Sequence, residues 1–387
     1  MKVALVCDWL TNVGGAEKVL LELHHLYPKA PIYTSKYNPK GIDWFKDADV
    51  RTGWLQIFPS ALRRILGPLR QRWFSHLDLS EYDLIISVTG AEAKSVKSGS
   101  RLHKEGKSNV KNENGLHISY CHVPTQYYWQ MYDDYVKNPG FGILNPIVRF
   151  FFKLLVKPLK KADYKAAQAP DYFVTISDYS KDLIKKYYKR ESMVIHPPVE
   201  VSDFTIKSKK SQIKEGNDQP VENYYITTSR QVNWKRLDLA VEACKELDRD
   251  LLVIGEGPEH NKLVKLSNNS EFIKFIPLLK KSELAKYLAG AKGYIFPSLE
   301  PFGIAPVEAL ATGCPVIAYG EGGARDYVKD GINGVLFKKQ SVGSLKQAIL
   351  EFEKKSFDPK KIADSAKNFA VSRFDQEIKD FVREKTE

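Results

Sequence analysis

Glu300-Pro-Phe-Gly-Ile-Ala-Pro-Val-Glu308 is the stretch that decides the reading of this chain. It sets one carboxylate before a glycine-bearing turn and a second inside the helix expected to follow. Pro306 suits the first turn of such a helix, and Gly313 stands where it should end. The upstream run Gly293-Tyr-Ile-Phe-Pro-Ser298 reads as a buried strand with small residues at its exit. Strand, glycine turn and helix form the geometry that aims free backbone N–H groups at an anion. Carboxylates on either side would reach hydroxyls flanking that anion. A phosphate held between two polyols describes a sugar nucleotide.

A second constellation lies upstream in Thr227-Thr-Ser-Arg-Gln-Val-Asn-Trp-Lys-Arg236. Residues 224–228 read as a strand, and the apolar positions Leu237, Ala240, Val241, Cys244 and Leu247 follow helical spacing. Arg230 and Lys235 therefore fall in a strand-to-helix turn, at the rim where open parallel sheets bind ligands. A guanidinium fork and a mobile ammonium there suit a diphosphate. Gly14-Gly15-Ala-Glu17 opens a further helix after the first strand, with Val19, Leu20 and Leu23 on one face. Glycine at that turn lets backbone approach a ligand.

Taken together these residues resemble the retaining glycosyltransferases of family 4. The resemblance is carried by Gly14-Gly-Ala-Glu17, Ser229-Arg230 with Lys235-Arg236, and Ile254-Gly-Glu-Gly-Pro258. It continues through Glu300 to Glu308, Gly322-Gly323 and Asp330-Gly-Ile-Asn-Gly334, in the family's order along nearly the whole chain. Tyr120-Cys-His-Val-Pro124 is similar to members that build bacterial O-antigen and related polysaccharides, many of them mannosyltransferases. The resemblance implies a GT-B fold, with two Rossmann-like, doubly wound parallel-sheet α/β domains facing across a cleft. It implies a donor such as GDP-mannose or a UDP-hexose, and a lipid-linked or polysaccharide acceptor. Residue by residue, Gly15 is expected on the donor diphosphate opposite Arg230 and Lys235. Glu308 is expected on the ribose and Glu300 on the transferred sugar. The backbone of Phe302, Gly303 and Ile304 would line sugar and phosphate, and His122 would lie near the reacting face. Pro277 stands where relatives usually carry glycine, in a loop that commonly reads the nucleobase. The choice between guanine and uracil therefore stays open.

At 387 residues the chain is long enough for two cores. Hydrophobic residues at 43% and charged residues at 27% are the balance of a folded globular chain, not a disordered one. Cys7, Cys121, Cys244 and Cys314 show no paired spacing for zinc or a redox dithiol and fit a reducing cytoplasm. The first apolar run is interrupted at Asp8 and reads as a strand, not a secretory signal. A net charge of +12 points to anionic partners: membrane surface, sugar nucleotide or lipid pyrophosphate. No zinc-finger, helix-turn-helix or aromatic RNA-binding pattern supports nucleic acid.

Strand–helix alternation runs through both halves. Strands are expected at 3–7, 84–88, 118–121, 173–176 and 193–196, then at 224–228, 251–254, 293–297 and 315–318. The boundary is placed after Pro197-Pro198. This gives domains over 1–200 and 201–365; the resemblance implies that the first is the acceptor side, that the second binds the donor, and that the C-terminal helix near 366–387 returns to the first. The polar run 207–223 is expected as a loop or hairpin, and 97–115 as a loop. Segments 62–74 and 141–161 mix large apolar residues with Arg and Lys. Both are too charged to span a bilayer, which needs roughly 20 apolar residues. They read either as interfacial elements for an anionic membrane, which would make the protein peripheral on the inner face, or as amphipathic helices on the protein core with a basic outer face.

The expected chemistry is transfer with retention, in which the leaving diphosphate's charge is met by Arg230, Lys235 and helix N-termini. No Asp-x-Asp stands ready for Mg²⁺, so no metal or other cofactor is expected. An epimerase or phosphorylase on the same fold is the alternative enzyme class. A non-enzymatic membrane scaffold is a third reading, disfavoured by the intact candidate residues. Nothing sets the two glutamates as a facing glycosidase pair.

Overall fold

The computed structural model describes residues 1–60, 66–106, 112–137, 142, 145–204 and 223–387. Nearly all of the polar run expected as a loop at 207–223 lies outside these residues. So do 107–111 of the other expected loop, 62–65 of the first basic segment, and 141, 143 and 144 of the second.

The chain divides into two compact units, Met1–Pro197 with Asp375–Glu387, and Pro198–Phe374. In the first, the strands are β1 (Val3–Cys7), β2 (Ile32–Thr34), β3 (Val50–Arg51), β4 (Leu84–Thr89), β5 (Leu116–Cys121), β6 (Tyr172–Thr175) and β7 (Met193–Val194). All pair in parallel, in the order β3-β2-β1-β4-β5-β6-β7. The helices are α1 (Gly15–Leu26), α2 (Gly67–Ser75), α3 (Gly99–Lys104), α4 (Tyr132–Lys137), α5 (Asn145–Ala166) and α6 (Asp178–Tyr188).

The second unit holds β8 (Tyr225–Thr228), β9 (Leu251–Ile254), β10 (Ile273–Ile276), β11 (Gly293–Phe296), β12 (Val316–Tyr319) and β13 (Gly334–Phe337). These are also parallel, in the order β10-β9-β8-β11-β12-β13. Its helices are α7 (Leu237–Glu246), α8 (His260–Ser267), α9 (Lys281–Gly290), α10 (Ile304–Ala311), α11 (Ala324–Tyr327), α12 (Val342–Phe352) and α13 (Pro359–Ala366). The last helix, α14 (Val371–Thr386), runs from the second unit into the first.

Central strands such as β1, β4 and β9 are buried along their whole length. That is the signature of a parallel sheet covered on both faces by its crossover helices. On one face of the second sheet Tyr225, Val253, Ile295, Ile317 and Val335 pack with Leu239, Ala243, Leu345 and Ile349 from α7 and α12. Ser177 and Ser341 cap α6 and α12, each accepting the backbone N–H three residues on. Phe369 packs beside Phe302 and Tyr327, with ring centroids 5.8 and 6.1 Å away.

Four strands escaped the sequence reading. β2 and β3 are edge strands of three and two residues. β10 is partly exposed along its length and runs straight into Pro277, so it resembled a loop. β13 follows directly on the polar Asp330–Asn333 turn, which hides its start in the sequence.

The first unit buries charge in matched sets. Arg70 pairs with Glu92 at 2.9 Å, and Tyr127 donates to the same carboxylate at 2.6 Å. Lys94 lies 2.7 Å from Asp163 of α5, whose carboxylate also accepts from Thr125, Trp129 and Tyr188 at 2.7–2.8 Å. Removing one partner of such a set strands the other charge in the core. The network therefore fixes where α5 lies.

Candidate functional site

In the second sheet the chain winds one way from β8 to β9 and β10, and the other way from β11 to β12 and β13. β8 and β11 are neighbours, so the winding direction reverses between their carboxyl ends. Such a switch point leaves a crevice that no crossover covers, and ligands bind there. Arg230 and Lys235 follow β8, and Glu300 follows β11.

The two loops meet through charge. Lys235 Nζ lies 2.5 Å from Glu300 Oε1, and Ser298 Oγ donates to the same oxygen at 2.8 Å. Both members of the pair are about one-fifth exposed. Arg230, by contrast, is exposed. Beneath them the Tyr294 hydroxyl donates to the Thr228 carbonyl at 3.0 Å and lies 3.1 Å from the Thr228 hydroxyl, stitching β8 to β11. Burial raises its pKa, and the negative fields of Glu300 and Glu308 add to that rise. Both carboxylates therefore bear on one buried hydroxyl.

The Glu300 loop is held in shape from below. Gly303 takes φ 92° and ψ 101° immediately before α10, a conformation that L side chains rarely adopt. A Cβ there would lie 2.6 Å from Phe296 and 3.0 Å from the Tyr327 hydroxyl, which donates to the Phe302 carbonyl at 2.9 Å. Gly323 N donates to the Glu300 carbonyl at 2.8 Å. No side chain caps α10, and Pro306 carries no N–H, so the N–H groups of Ile304 and Ala305 open the helix. Glu308 lies one turn further along, half-buried, on the same face as Ile304. Helical side chains lean toward the N-terminus, which brings this carboxylate under the anion-seeking end.

The Arg230 loop has its own support, which sequence reasoning missed. Gln231 is fully buried. Its side chain donates to the Gly255 carbonyl at 2.6 Å and meets His260 Nδ1 at 2.8 Å. Its backbone N–H donates to the Glu256 carbonyl at 2.8 Å, and its carbonyl accepts from Glu259 N at 3.1 Å. A Cβ on Gly255 or Gly257 would sit 2.3 Å from the carbonyl oxygens of Ser229 or Gln231. The glycines of Ile254-Gly-Glu-Gly-Pro258 thus serve close approach between two loops, and Arg230 rides on the result. The sequence signal was only the polar residue inside the Arg230–Val232 turn.

In the first unit, Gly14 and Gly15 open α1 after β1 without a side-chain cap. His122 follows β5, and its N–H donates to the Thr89 carbonyl at 2.8 Å. The switch point here lies between β1 and β4. It is pinned by buried Asp8, whose carboxylate accepts from the Thr89 hydroxyl and from Gly90 N and Ala93 N at 2.7–3.0 Å. His122 Nε2 is buried and makes no hydrogen bond among the described residues. Burial lowers its pKa to about 4, so the imidazole is neutral at pH 7.

Among the described residues no three His, Cys, Asp or Glu side chains gather as metal ligands. None of the helices there is long and apolar enough to cross a membrane. The four cysteines are all buried.

Comparison with known proteins agrees with this geometry. Residues 208–369 match the family model described as "Glycosyl transferases group 1". The chain is 27% identical over 225 residues to an uncharacterized glycosyltransferase, MJ1178, of Methanocaldococcus jannaschii, covering 57% of this chain and 58% of that protein. It is 28% identical over 262 residues to the alpha-monoglucosyldiacylglycerol synthase of Streptococcus pneumoniae, covering 62% and 57%. The chain thus spans less than two thirds of the length of either relative. Among solved structures, Anabaena Alr3699/HepE in complex with UDP superposes with a TM-score of 0.68, at 18% identity, over 99% of this chain and all of that one. The fold is GT-B, and the sequence matches are to glycosyltransferases over part of their length.

Proposed function

We propose that the protein is a retaining hexosyltransferase of family 4. It would move a sugar from a nucleotide donor to a lipid-linked or polysaccharide acceptor in cell-surface glycan synthesis. One observation carries the reading. The Lys235–Glu300 pair, exposed Arg230 and the uncapped start of α10 converge where β8 and β11 part. Cations and helix N–H groups suit a diphosphate, and the carboxylates of Glu300 and Glu308 suit hydroxyls on either side of it.

In the proposed step the bond between the anomeric carbon and the diphosphate oxygen breaks as the acceptor hydroxyl attacks the same face. The acceptor oxygen bonds to the anomeric carbon, and its proton passes to the departing diphosphate. Arg230, Lys235 and the α10 N–H groups stabilise the leaving charge, while Glu300 and Phe302–Ile304 hold the sugar and Glu308 the ribose. Gly15 is assigned to the diphosphate and His122, as a neutral imidazole, to the sugar. These cations take the part a metal would otherwise play, so transfer is expected to be metal-independent.

GDP-mannose is the first donor to test. A UDP-hexose is the second reading, favoured by the UDP held by the Anabaena neighbour. Pro277, after β10, has no N–H to offer a base from that position. The acceptor class draws support from the pneumococcal relative, whose name is alpha-monoglucosyldiacylglycerol synthase. That class would make the protein peripheral on the inner face of the membrane. Calorimetric titration with GDP-, UDP-, ADP- and dTDP-sugars tests the donor site, and no heat from any of them would defeat the proposal. Product analysis with labelled donor separates transfer from free epimer or sugar 1-phosphate, the products of the alternative enzyme classes.

A further inference from the structure

Helix α5 reads Asn-Pro-Ile-Val-Arg-Phe-Phe-Phe-Lys-Leu-Leu-Val-Lys-Pro-Leu-Lys-Lys-Ala-Asp-Tyr-Lys-Ala. One face is firmly engaged. Val156, Asp163 and Ala166 are buried, and the Tyr132 ring lies 5.6 Å from that of Phe152. Arg149 donates to the Val136 and Lys137 carbonyls at the end of α4, at 2.8 and 2.9 Å. The opposite face is left bare and apolar. Ile147, Phe150, Phe151, Leu154 and Leu155 are 58%, 65%, 53%, 62% and 48% exposed. At 3.6 residues per turn they share an arc of about 140°. A contiguous exposed patch of that kind marks a binding surface.

We infer that this face of α5 docks on an anionic lipid surface. The charge says which occupant fits. The helix carries six cations and a single acid, Asp163, which is buried against Lys94. Lys153 and Lys157 flank the apolar arc, and Lys161 and Lys165 continue along it toward the C-terminal end; all four are exposed. Apolar rings and branched chains would enter the headgroup boundary while the ammonium groups meet anionic phosphate. A second copy of the chain would set like charges against like, an arrangement that disfavours pairing through this face. The inference deepens the lipid-linked acceptor reading by assigning a definite surface to it.

The test uses the full chain with vesicles of phosphatidylcholine alone or mixed with phosphatidylglycerol, scored by co-sedimentation, with donor binding measured in parallel by calorimetry. Wild type is expected to bind the anionic vesicles and to be released by salt. Phe150→Ser with Leu154→Ser should lower partitioning at least about tenfold. Lys153→Gln with Lys157→Gln should lower it about 30-fold on anionic vesicles, at about fivefold per cation. Nucleotide-sugar affinity should not change in either variant, since none of these residues belongs to the donor site. Several results would overturn the inference: no vesicle binding by wild type, equal binding to neutral vesicles, or unaltered binding by the variants. A concentration-dependent dimer that the Phe150/Leu154 variant dissolves would overturn it too, by assigning the face to self-association. Vesicle binding with this pattern but no heat from any nucleotide sugar would support the surface and remove the transferase reading alone.

Discussion

Gly303→Ala puts the architecture of the candidate site to a quantitative test. At φ 92° and ψ 101° an alanine carries backbone strain of about 1–3 kcal/mol. Its methyl would also lie 2.6 Å from Phe296 Cζ and 3.0 Å from the Tyr327 hydroxyl. Both neighbours are buried, and Tyr327 is tied to the Phe302 carbonyl, so neither ring moves aside freely. Overpacking of this kind adds about 1–3 kcal/mol. The sum, about 2–6 kcal/mol, predicts a melting temperature lowered by roughly 5–20 °C for a unit of this size. The same shift would re-aim the start of α10, so donor affinity should fall at least about tenfold, the equivalent of about 1.4 kcal/mol. Gly343→Ala is the control. Nothing lies within 4 Å of its would-be Cβ, and it sits in the first turn of α12, so no loss is expected. A Gly303→Ala protein that melts with wild type and binds donor equally would refute the strained-turn account.

Other expectations follow from the same geometry. Arg230→Ala and Lys235→Ala should each cut transfer about 10²–10³-fold while changing stability by less than about 1 kcal/mol, because one residue is exposed and the other is in a partly solvated pair. Near-wild-type rates in both would end their assignment to the leaving group. Gln231→Ala should lower both stability and donor affinity, since it strands the Gly255 carbonyl and loosens the Arg230 loop. A variant with unchanged urea midpoint and unchanged affinity would show that Gln231 supports nothing. Transfer should persist in EDTA; abolition that Mg²⁺ restores would refute metal independence. Burial lowers His117 to about 3 and His122 to about 4, so the unfolded chain binds protons first as pH falls. Each histidine therefore removes about 1.4 kcal/mol of stability per pH unit between about pH 6 and 4. His117→Gln should flatten the urea-midpoint profile over that range by one histidine's share, and an unchanged slope would contradict it.

The alternation of apolar runs with helical spacing, the Glu300–Glu308 stretch and the Arg230–Lys235 turn were all legible from residue order, because they depend on local periodicity and turn chemistry. The short edge strands β2 and β3 were not, because two or three residues give no periodicity to read. The start of α10 illustrates the boundary between the two kinds of knowledge. Its glycine was visible in the sequence, but the need for glycine comes from Phe296 and Tyr327, which arrive from elsewhere in the fold.

Residue order thus suffices to specify two parallel α/β units and the loops that carry charge and glycine. Packing in three dimensions is what sets β8 beside β11, brings Lys235 to a carboxylate 65 residues away, and seats the Gln231 side chain on the Gly255 carbonyl. The reason is physical: helix and strand patterns are set by neighbours along the chain, whereas strand order and loop-to-loop contact are fixed by the packing of segments that composition cannot order. The same holds for α5, whose amphipathic character was plain in the sequence, while the face left bare was chosen by what Tyr132, Lys94 and Arg149 hold on the other side.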